Sequence, residues 1–207
     1  NDDRLALHAM MPDAAPKVTE TMDAIIAFID LLVKKEHAYV VDGDVYFRVS
    51  SVENYGKLSN QQIDDLMVGA RIDENSKKEN PLDFTLWKRT EEGIKWESPW
   101  SVGRPGWHTE CVVMINKEFD GNHLIDIHGG GMDLKFPHHE NEIAQSRAAY
   151  ETGIANYWIH NGMVNIDGEK MSKSLGNVIW AKDMVAELGC NVVKWFMLSS
   201  HYRNPLN

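Results

Sequence analysis

The stretch of sequence that decides the fold class is LIDIHGGGMDLKFPHHENE, residues 124–142. Leu124 to His128 are predicted to form a strand, and a helix is predicted to start at Pro137 and to reach about Tyr150. The three glycines at 129–131 have no Cβ atoms and would let a ligand approach the backbone closely. A strand, a glycine-rich turn and a helix in this order are typical of a parallel α/β sheet, where ligands bind beyond the carboxyl ends of the strands.

The first part of the chain predicts a helix and a hairpin. Apolar residues recur at helical spacing between Thr19 and Glu36, which indicates a helix that packs on a core. Two β-rich runs, residues 38–41 and 44–49, flank Asp42-Gly43. This dipeptide favours a type I′ turn, because both central residues of that turn need positive φ.

The next segment is less regular. Residues 59–68 are predicted to form a short helix, with Ser59 and Gln62 as a capping box. Residues 69–100 are charged and rich in turn formers, which indicates a small, irregular α+β module.

Regular elements are predicted again in the second half of the chain. Cys111–Ile115 suit a buried helix or strand, and Trp158–His160 a strand. Asp183 is predicted to cap a helix that ends at Leu188 before Gly189, and a further helix is expected over residues 191–199.

Charge and cysteine content exclude several classes of protein. The 207 residues carry 31 acidic and 21 basic side chains, a formal net charge of −10. A protein that binds nucleic acid through its bulk charge would be basic, so any such contact here needs a local basic patch. No run approaches the roughly 18 apolar residues of a membrane span. Two cysteines, Cys111 and Cys190, cannot form a disulfide framework, which favours a reducing, cytoplasmic location.

Three residues form a candidate metal site. His138 and Glu142 are four apart and lie on one face of the predicted helix, where they could bind a metal or simply form an ion pair. Cys111 could add a thiolate, and cysteine, histidine and glutamate together suit zinc. A buried cysteine without any ligand role remains the alternative. His128 and Asp133 are expected to flank the crevice at the end of the strand.

A second candidate site is the sequence Lys170-Met-Ser-Lys-Ser174. Glycines at 168 and 176 flank it and indicate a mobile loop. Two lysines and two hydroxyls in five residues could neutralise a polyphosphate in a transition state. Such a short basic loop is also compatible with plain surface.

These motifs together resemble those of a known family. Lys170–Ser174 resembles the KMSKS signature of class I aminoacyl-tRNA synthetases. The segments Gly106–Cys111, His128–Gly131 and Phe136–Ser146 are similar to those of cysteinyl-tRNA synthetases, and the likeness extends through the whole chain. The resemblance implies a partial Rossmann-like α/β catalytic domain that carries an inserted small α+β connective module and the start of a helical region.

The resemblance also implies residue roles. Cys111, His138 and Glu142 match three of four ligands of one Zn²⁺ per chain, which in the family binds the thiolate of the substrate cysteine. Trp107 and His128 match residues that line the amino-acid pocket. Lys170 and Lys173 match the catalytic loop, to which the expected catalytic set adds His128. Lys173, Gly129, Gly130, Gly131 and Asp133 match the ATP site, with Mg²⁺ expected alongside ATP. The implied partners are L-cysteine, ATP and tRNA(Cys), and a monomer without membrane contact is expected.

The chain departs from the family pattern in two ways. Neither a His-x-Gly-His signature nor the fourth zinc ligand, a cysteine of the first half of the fold, is found in residues 1–207. We therefore expect an interior piece of a longer enzyme that cannot aminoacylate alone. Residues 1–36 would end the first half of the catalytic fold, 37–99 form the connective insertion, 100–180 the second half, and 181–207 the start of the helical region.

Three alternatives to a cysteine–tRNA ligase remain open from the sequence. One is the related ligase that joins cysteine to an amino sugar in mycothiol synthesis. Another is a truncated relative that binds cysteine, zinc or a partner without catalysis, which the missing His-x-Gly-His signature favours. The third is an α/β domain whose histidines and cysteine belong to its core.

Overall fold

The computed structural model describes residues 2–62 and 77–207, and these form a mixed α/β structure, as the sequence predicts. The helices are α1 (Asp2–Ala6), α2 (Met22–Lys34), α3 (Trp107–Glu118), α4 (Glu140–Tyr150), α5 (Ala181–Leu188) and α6 (Cys190–Leu198). The strands are β1 (Ala38–Val41), β2 (Asp44–Phe47), β3 (Phe84–Arg89), β4 (Gly103–Pro105), β5 (Ile125–Gly131), β6 (Ala155–Asn161), β7 (Asn165–Ile166) and β8 (Glu169–Lys170). In the part of the chain that is described, no helix is long and apolar enough to cross a membrane.

Strands β1 to β4 form an antiparallel sheet in sequence order. The predicted hairpin is confirmed, because β1 and β2 pair from Ala38 with Phe47 to Val41 with Asp44. The two turn residues have positive φ, 51° at Asp42 and 88° at Gly43, as a type I′ turn requires.

The sheet and three helices enclose one hydrophobic core. Helix α2 contributes its apolar stripe, as its spacing predicts, and α3 and α4 pack against it. Fully buried members of this core include Ile25, Ile29, Leu32, Val45, Phe47, Leu86, Trp87 and Val112. The core therefore fixes α3 and α4, which carry the candidate metal ligands.

One prediction about the central stretch needs correction. Residues 129–131 are not a turn after the strand, because β5 continues through Gly131 and pairs with β6. A short 3-10 turn at Met132–Leu134 and a helical turn at Lys135–His139 then lead into α4. Residues 111–115, for which both helix and strand were possible, lie in α3.

The other local predictions have mixed outcomes. The strand at 158–160 and the last two helices are confirmed. Asp183 is not the cap of α5, since the helix begins after Trp180 and Asp183 lies in its first turn, whereas Gly189 follows its end as predicted. The predicted helix at 59–68 lies mostly outside the described residues. Ser59 directs its N–H and its hydroxyl to Glu140, each at 2.9 Å, instead of starting a helix.

The chain divides into two compact units. One consists of residues 16–128 and 135–158 and contains the antiparallel sheet with α2, α3 and α4. The other consists of the residues up to Ala15, Gly129–Leu134 and Ile159–Asn207, and contains α1, α5, α6 and the β7–β8 pair. The predicted boundaries at residues 36, 99 and 180 stay predictions.

Candidate functional site

The structure brings Cys111, His138 and Glu142 together. Cys111 lies in α3, His138 in the turn before α4, and Glu142 in the first turn of α4. One potential ligand atom of each residue lies within 4.8 Å of the other two. Zinc bonds of about 2.0–2.3 Å would place tetrahedral ligands roughly 3.5 Å apart. The three side chains are therefore near the spacing that a zinc ion requires.

Glu142 is the centre of the cluster. Its side chain is fully buried, and Oε2 accepts a hydrogen bond from Nε2 of His128 at 2.7 Å. Oε1 lies 3.1 Å from Nε2 of His138 and accepts no hydrogen bond from the described residues. A buried carboxylate oxygen without a donor is costly unless a cation binds it.

The pKa values of the cluster reflect burial and charge. Burial alone would raise the pKa of Glu142, but the hydrogen bond from His128 and the adjacent His138 ring lower it to about 2. Burial, followed by the charges of Glu142 and Glu110, raises the pKa of the Cys111 thiol to about 12. The thiol thus needs a positive partner to ionise, which a metal ion provides. A buried carboxylate and an imidazole beside a thiol fit Zn²⁺.

A second group of potential ligands shares Glu142. His128, His139 and Glu142 also place one ligand atom each within 4.8 Å of the others. His128 contacts His139 and Trp158 with ring centroids 4.7 and 4.8 Å away. His128 was expected at the crevice and in the amino-acid pocket, and its contact with Glu142 was not predicted from the sequence. The three-residue spacing of His139 and Glu142 was only a weak signal for this second group.

Trp107 and His108 border the metal ligands at the start of α3. The exposed Trp107 ring has its centroid 4.3 Å from that of His138, and Nδ1 of His108 is 2.7 Å from Nδ1 of His138. Sequence reasoning assigned no role to His108. Its one signal was its position directly after Trp107 and three residues before Cys111.

The lysine motif lies in the other unit. Lys170 ends β8, and its Nζ is 3.4 Å from Oδ2 of Asp133. Nζ of Lys173 lies 5.8 Å from the ring centroid of Trp180. The N–H of Ser172 donates to Oδ1 of Asn177 at 2.8 Å, which closes the turn between them.

The predicted glycines lie in the same unit as the lysine motif. Gly129 is exposed, and an added Cβ there would meet only the carbonyl oxygen of Ile159 at 3.6 Å, which is ordinary contact. Its φ is not in the positive region that favours glycine. Within the described residues, neither packing nor φ requires a glycine at position 129.

Comparison with known proteins identifies the family. The family model of tRNA synthetases class I (C) catalytic domain matches residues 1–207. The chain belongs to this family of class I synthetase catalytic domains. The sequence resemblance stated above is therefore confirmed, and so is the fold class.

Several curated relatives of this synthetase domain are similar over nearly its whole length. A cysteine–tRNA ligase of Halalkalibacterium halodurans is 55% identical over 206 residues, which cover 99% of this chain and 44% of that protein. One of Oceanobacillus iheyensis is 58% identical over 193 residues, which cover 93% of this chain and 41% of that protein. The chain thus spans less than half the length of these relatives.

A solved structure supports the fold. The methionyl-tRNA synthetase of Mycobacterium tuberculosis, in complex with methionyl-adenylate, matches 98% of this chain and 50% of its own with a TM-score of 0.66. The sequence identity is 15%, so this likeness bears on the fold alone.

Proposed function

We propose that this chain is the part of a cysteine–tRNA ligase that selects cysteine and binds ATP. The observation that carries the proposal is the convergence of Cys111, His138 and Glu142 around a buried carboxylate oxygen without a donor. This convergence occurs in a class I synthetase domain whose relatives of 53–58% identity are cysteine–tRNA ligases.

Cys111, His138 and Glu142 would hold one Zn²⁺ per chain. The metal supplies selectivity for a thiolate over a hydroxyl, which a pocket cannot achieve by shape alone, because small differences in size are worth only about 1–3 kcal/mol. His128 holds Oε2 of Glu142 and leaves Oε1 facing His138. Trp107, against the His138 ring, would line the cysteine pocket with His128.

The lysine motif would bind the phosphates of ATP. Lys170 and Lys173 are expected to stabilise the charge that develops on pyrophosphate when the cysteine carboxylate attacks the α-phosphate, with Mg²⁺ bound to the nucleotide. Gly129 is exposed, lies in the same unit as the lysine motif and would let the nucleotide approach the backbone closely. Gly130, Gly131 and Asp133 would complete the nucleotide site.

The activity of the whole protein follows from these parts. It would form cysteinyl-adenylate and transfer cysteine to tRNA(Cys), in the cytoplasm and as a monomer. We propose that the 207-residue chain does not perform this reaction alone, because a His-x-Gly-His signature is found nowhere in it. The division into residues 1–36, 37–99, 100–180 and 181–207 belongs to the same proposal.

The first experiment measures zinc content and amino-acid binding of the 207-residue chain. We expect one Zn²⁺ per chain, and we expect the zinc-loaded chain to bind L-cysteine in clear preference to L-serine in calorimetry. Cys111→Ser should lose zinc. Cys190→Ser is the matched control, because Cys190 is in neither potential ligand group. Equal zinc content in the two variants would contradict the proposed ligand set.

The second experiment uses the full-length protein. Its rate of charging tRNA(Cys) is compared with its rate of joining cysteine to the amino sugar of mycothiol synthesis. We expect tRNA charging only. Amino-sugar ligation in its place would reject the proposed tRNA substrate and leave the zinc site standing.

A further inference from the structure

The imidazole of His108 contacts a proposed metal ligand, and it has no other assigned role. Its Nδ1 is 2.7 Å from Nδ1 of His138, a distance at which one nitrogen donates and the other accepts. The other ring nitrogen of His138, Nε2, lies 3.1 Å from Oε1 of Glu142. The two nitrogens of His138 therefore contact different groups.

A histidine that binds a metal through Nε2 carries its proton on Nδ1. That N–H needs an acceptor, because His138 is buried. Nδ1 of His108 lies at hydrogen-bond distance from it. Partners of this kind fix the tautomer and the orientation of the ligand ring.

We propose that His108 is a positioning residue of the metal site: it accepts a hydrogen bond from Nδ1–H of His138 and so directs Nε2 of His138 toward Cys111 and Glu142. This inference rests on the proposed zinc site. It adds to that site a residue that supplies no metal ligand itself.

The surroundings of His108 suit such a role. The ring of Phe84 in β3 meets it edge-on, with centroids 5.8 Å apart and an interplanar angle of 88°. The ring of Trp107 lies nearly parallel at 6.2 Å. His108 is half-buried, so packing as well as the hydrogen bond defines its position.

The test compares variants that differ in the acceptor. His108→Phe keeps an aromatic ring but removes the acceptor, whereas His108→Asn keeps an acceptor near the position of Nδ1. His108→Gln places an acceptor farther from Cβ. Zn²⁺ affinity of the 207-residue chain is measured by competition with a chelator, and unfolding of the metal-free chain by urea reports whether each variant folds.

We expect His108→Phe to lower the Zn²⁺ affinity about 10–100-fold, as is usual for outer-shell partners of metal ligands. His108→Asn should recover most of that loss, and His108→Gln should recover less. The absorption of the Co²⁺-loaded chain should keep its thiolate-to-cobalt band in all three variants. If His108→Phe does not fold, the comparison of Zn²⁺ affinity between the Asn and Gln variants shows whether the position of the acceptor matters.

A double variant separates positioning from general packing. In a His138→Cys background a thiolate replaces the imidazole, and nothing is left to donate to His108. Adding His108→Phe there should not lower the Zn²⁺ affinity further, because the effect of His108 passes through His138.

Three results would overturn the inference. Equal Zn²⁺ affinity of wild type and His108→Phe would exclude the positioning role, and so would an additive loss in the His138→Cys background or an equal loss in His108→Phe and His108→Asn. In these cases the zinc site itself stands. A wild-type chain that binds no Zn²⁺ would instead reject the proposed metal site, and this inference with it.

Discussion

Gly106 lies between β4 and α3 and packs closely against the backbone of β3, and Gly106→Ala tests how that contact places the metal ligands. Gly106 precedes α3 with φ −75° and ψ 140°, a conformation that alanine adopts readily. Its N–H donates to the carbonyl oxygen of Leu86 at 2.7 Å. An added Cβ would lie 2.2 Å from the carbonyl oxygen of Thr85, which belongs to the backbone and cannot rotate away.

The magnitude follows from that contact. The Cβ would be more than 1 Å too close for ordinary contact, so the start of α3 must move away from β3 by roughly 1 Å. Overpacking of this kind lowers the free energy of unfolding by about 1–3 kcal/mol. Alanine also reduces the conformational entropy of the unfolded chain, which raises the free energy of unfolding by about 0.4–1 kcal/mol. We therefore expect Gly106→Ala to lower the free energy of unfolding by about 1–2 kcal/mol. Because Trp107 and His108 follow directly and Cys111 lies farther along the same helix, we also expect weaker Zn²⁺ binding.

The assay is urea unfolding of the metal-free chain, together with Zn²⁺ affinity by chelator competition. Gly153→Ala is the matched control, because a Cβ at Gly153 meets no heavy atom within 4 Å and its φ is not in the positive region. It should leave stability equal or slightly higher and Zn²⁺ binding unchanged. If Gly106→Ala unfolds and binds Zn²⁺ as wild type does, the contact does not determine the position of α3.

Further predictions concern buried carboxylates. Burial alone would raise the pKa of Asp44, but hydrogen bonds from Lys88, the N–H of Arg89 and the hydroxyl of Tyr46 lower it below its ordinary 3.8. Asp44→Asn should therefore lower the free energy of unfolding in urea at pH 7 by about 1–3 kcal/mol, and this difference should shrink as the pH falls below 3.8. The control Asp42→Asn, at an exposed position, should change the free energy of unfolding by no more than about 0.5 kcal/mol. A difference between wild type and Asp44→Asn that does not depend on pH would refute the reasoning. Glu142→Gln keeps the shape but loses the charge, so Zn²⁺ affinity should fall in chelator competition, and unchanged affinity would exclude Glu142 as a ligand.

Local patterns in the sequence predicted much of the fold. The apolar stripe of α2, the hairpin at Asp42-Gly43 and the end of α5 at Gly189 all depend on residues close in sequence, and all are confirmed. The glycine run was misread, because glycine is compatible with both a turn and a strand. Residues 129–131 form a strand because β5 pairs with β6, which is distant in the sequence.

The candidate metal site was predictable only in part. The four-residue spacing of His138 and Glu142 is a local signal, so their common face could be predicted. The proximity of Cys111 depends on the packing of α3 on α4, which periodicity does not predict; its residue type made Cys111 a candidate ligand, and the resemblance matched it to a zinc ligand. The contact of His108 with His138 depends on the same packing, and the only signal for His108 in the sequence was its position between Trp107 and Cys111.

Helix α4 shows why polarity alone misleads at such a site. Its first two turns are polar, a pattern that normally indicates a solvent-exposed face, yet Glu140, Asn141, Glu142 and Gln145 are all buried. Each is bound by another element of the same unit: Glu140 by Ser59, Asn141 by Tyr55, Glu142 by His128 and Gln145 by Thr109. Because these hydrogen bonds come from neighbouring segments, a shift of α4 along its axis would leave several buried polar groups without partners. The buried polar face therefore holds the helix in one position. Among the described buried atoms of α4, Oε1 of Glu142 and Oγ of Ser146 have no hydrogen-bond partner, and Oε1 is the one that lies beside His138. The position of the unsatisfied oxygen thus agrees with the position of the proposed metal.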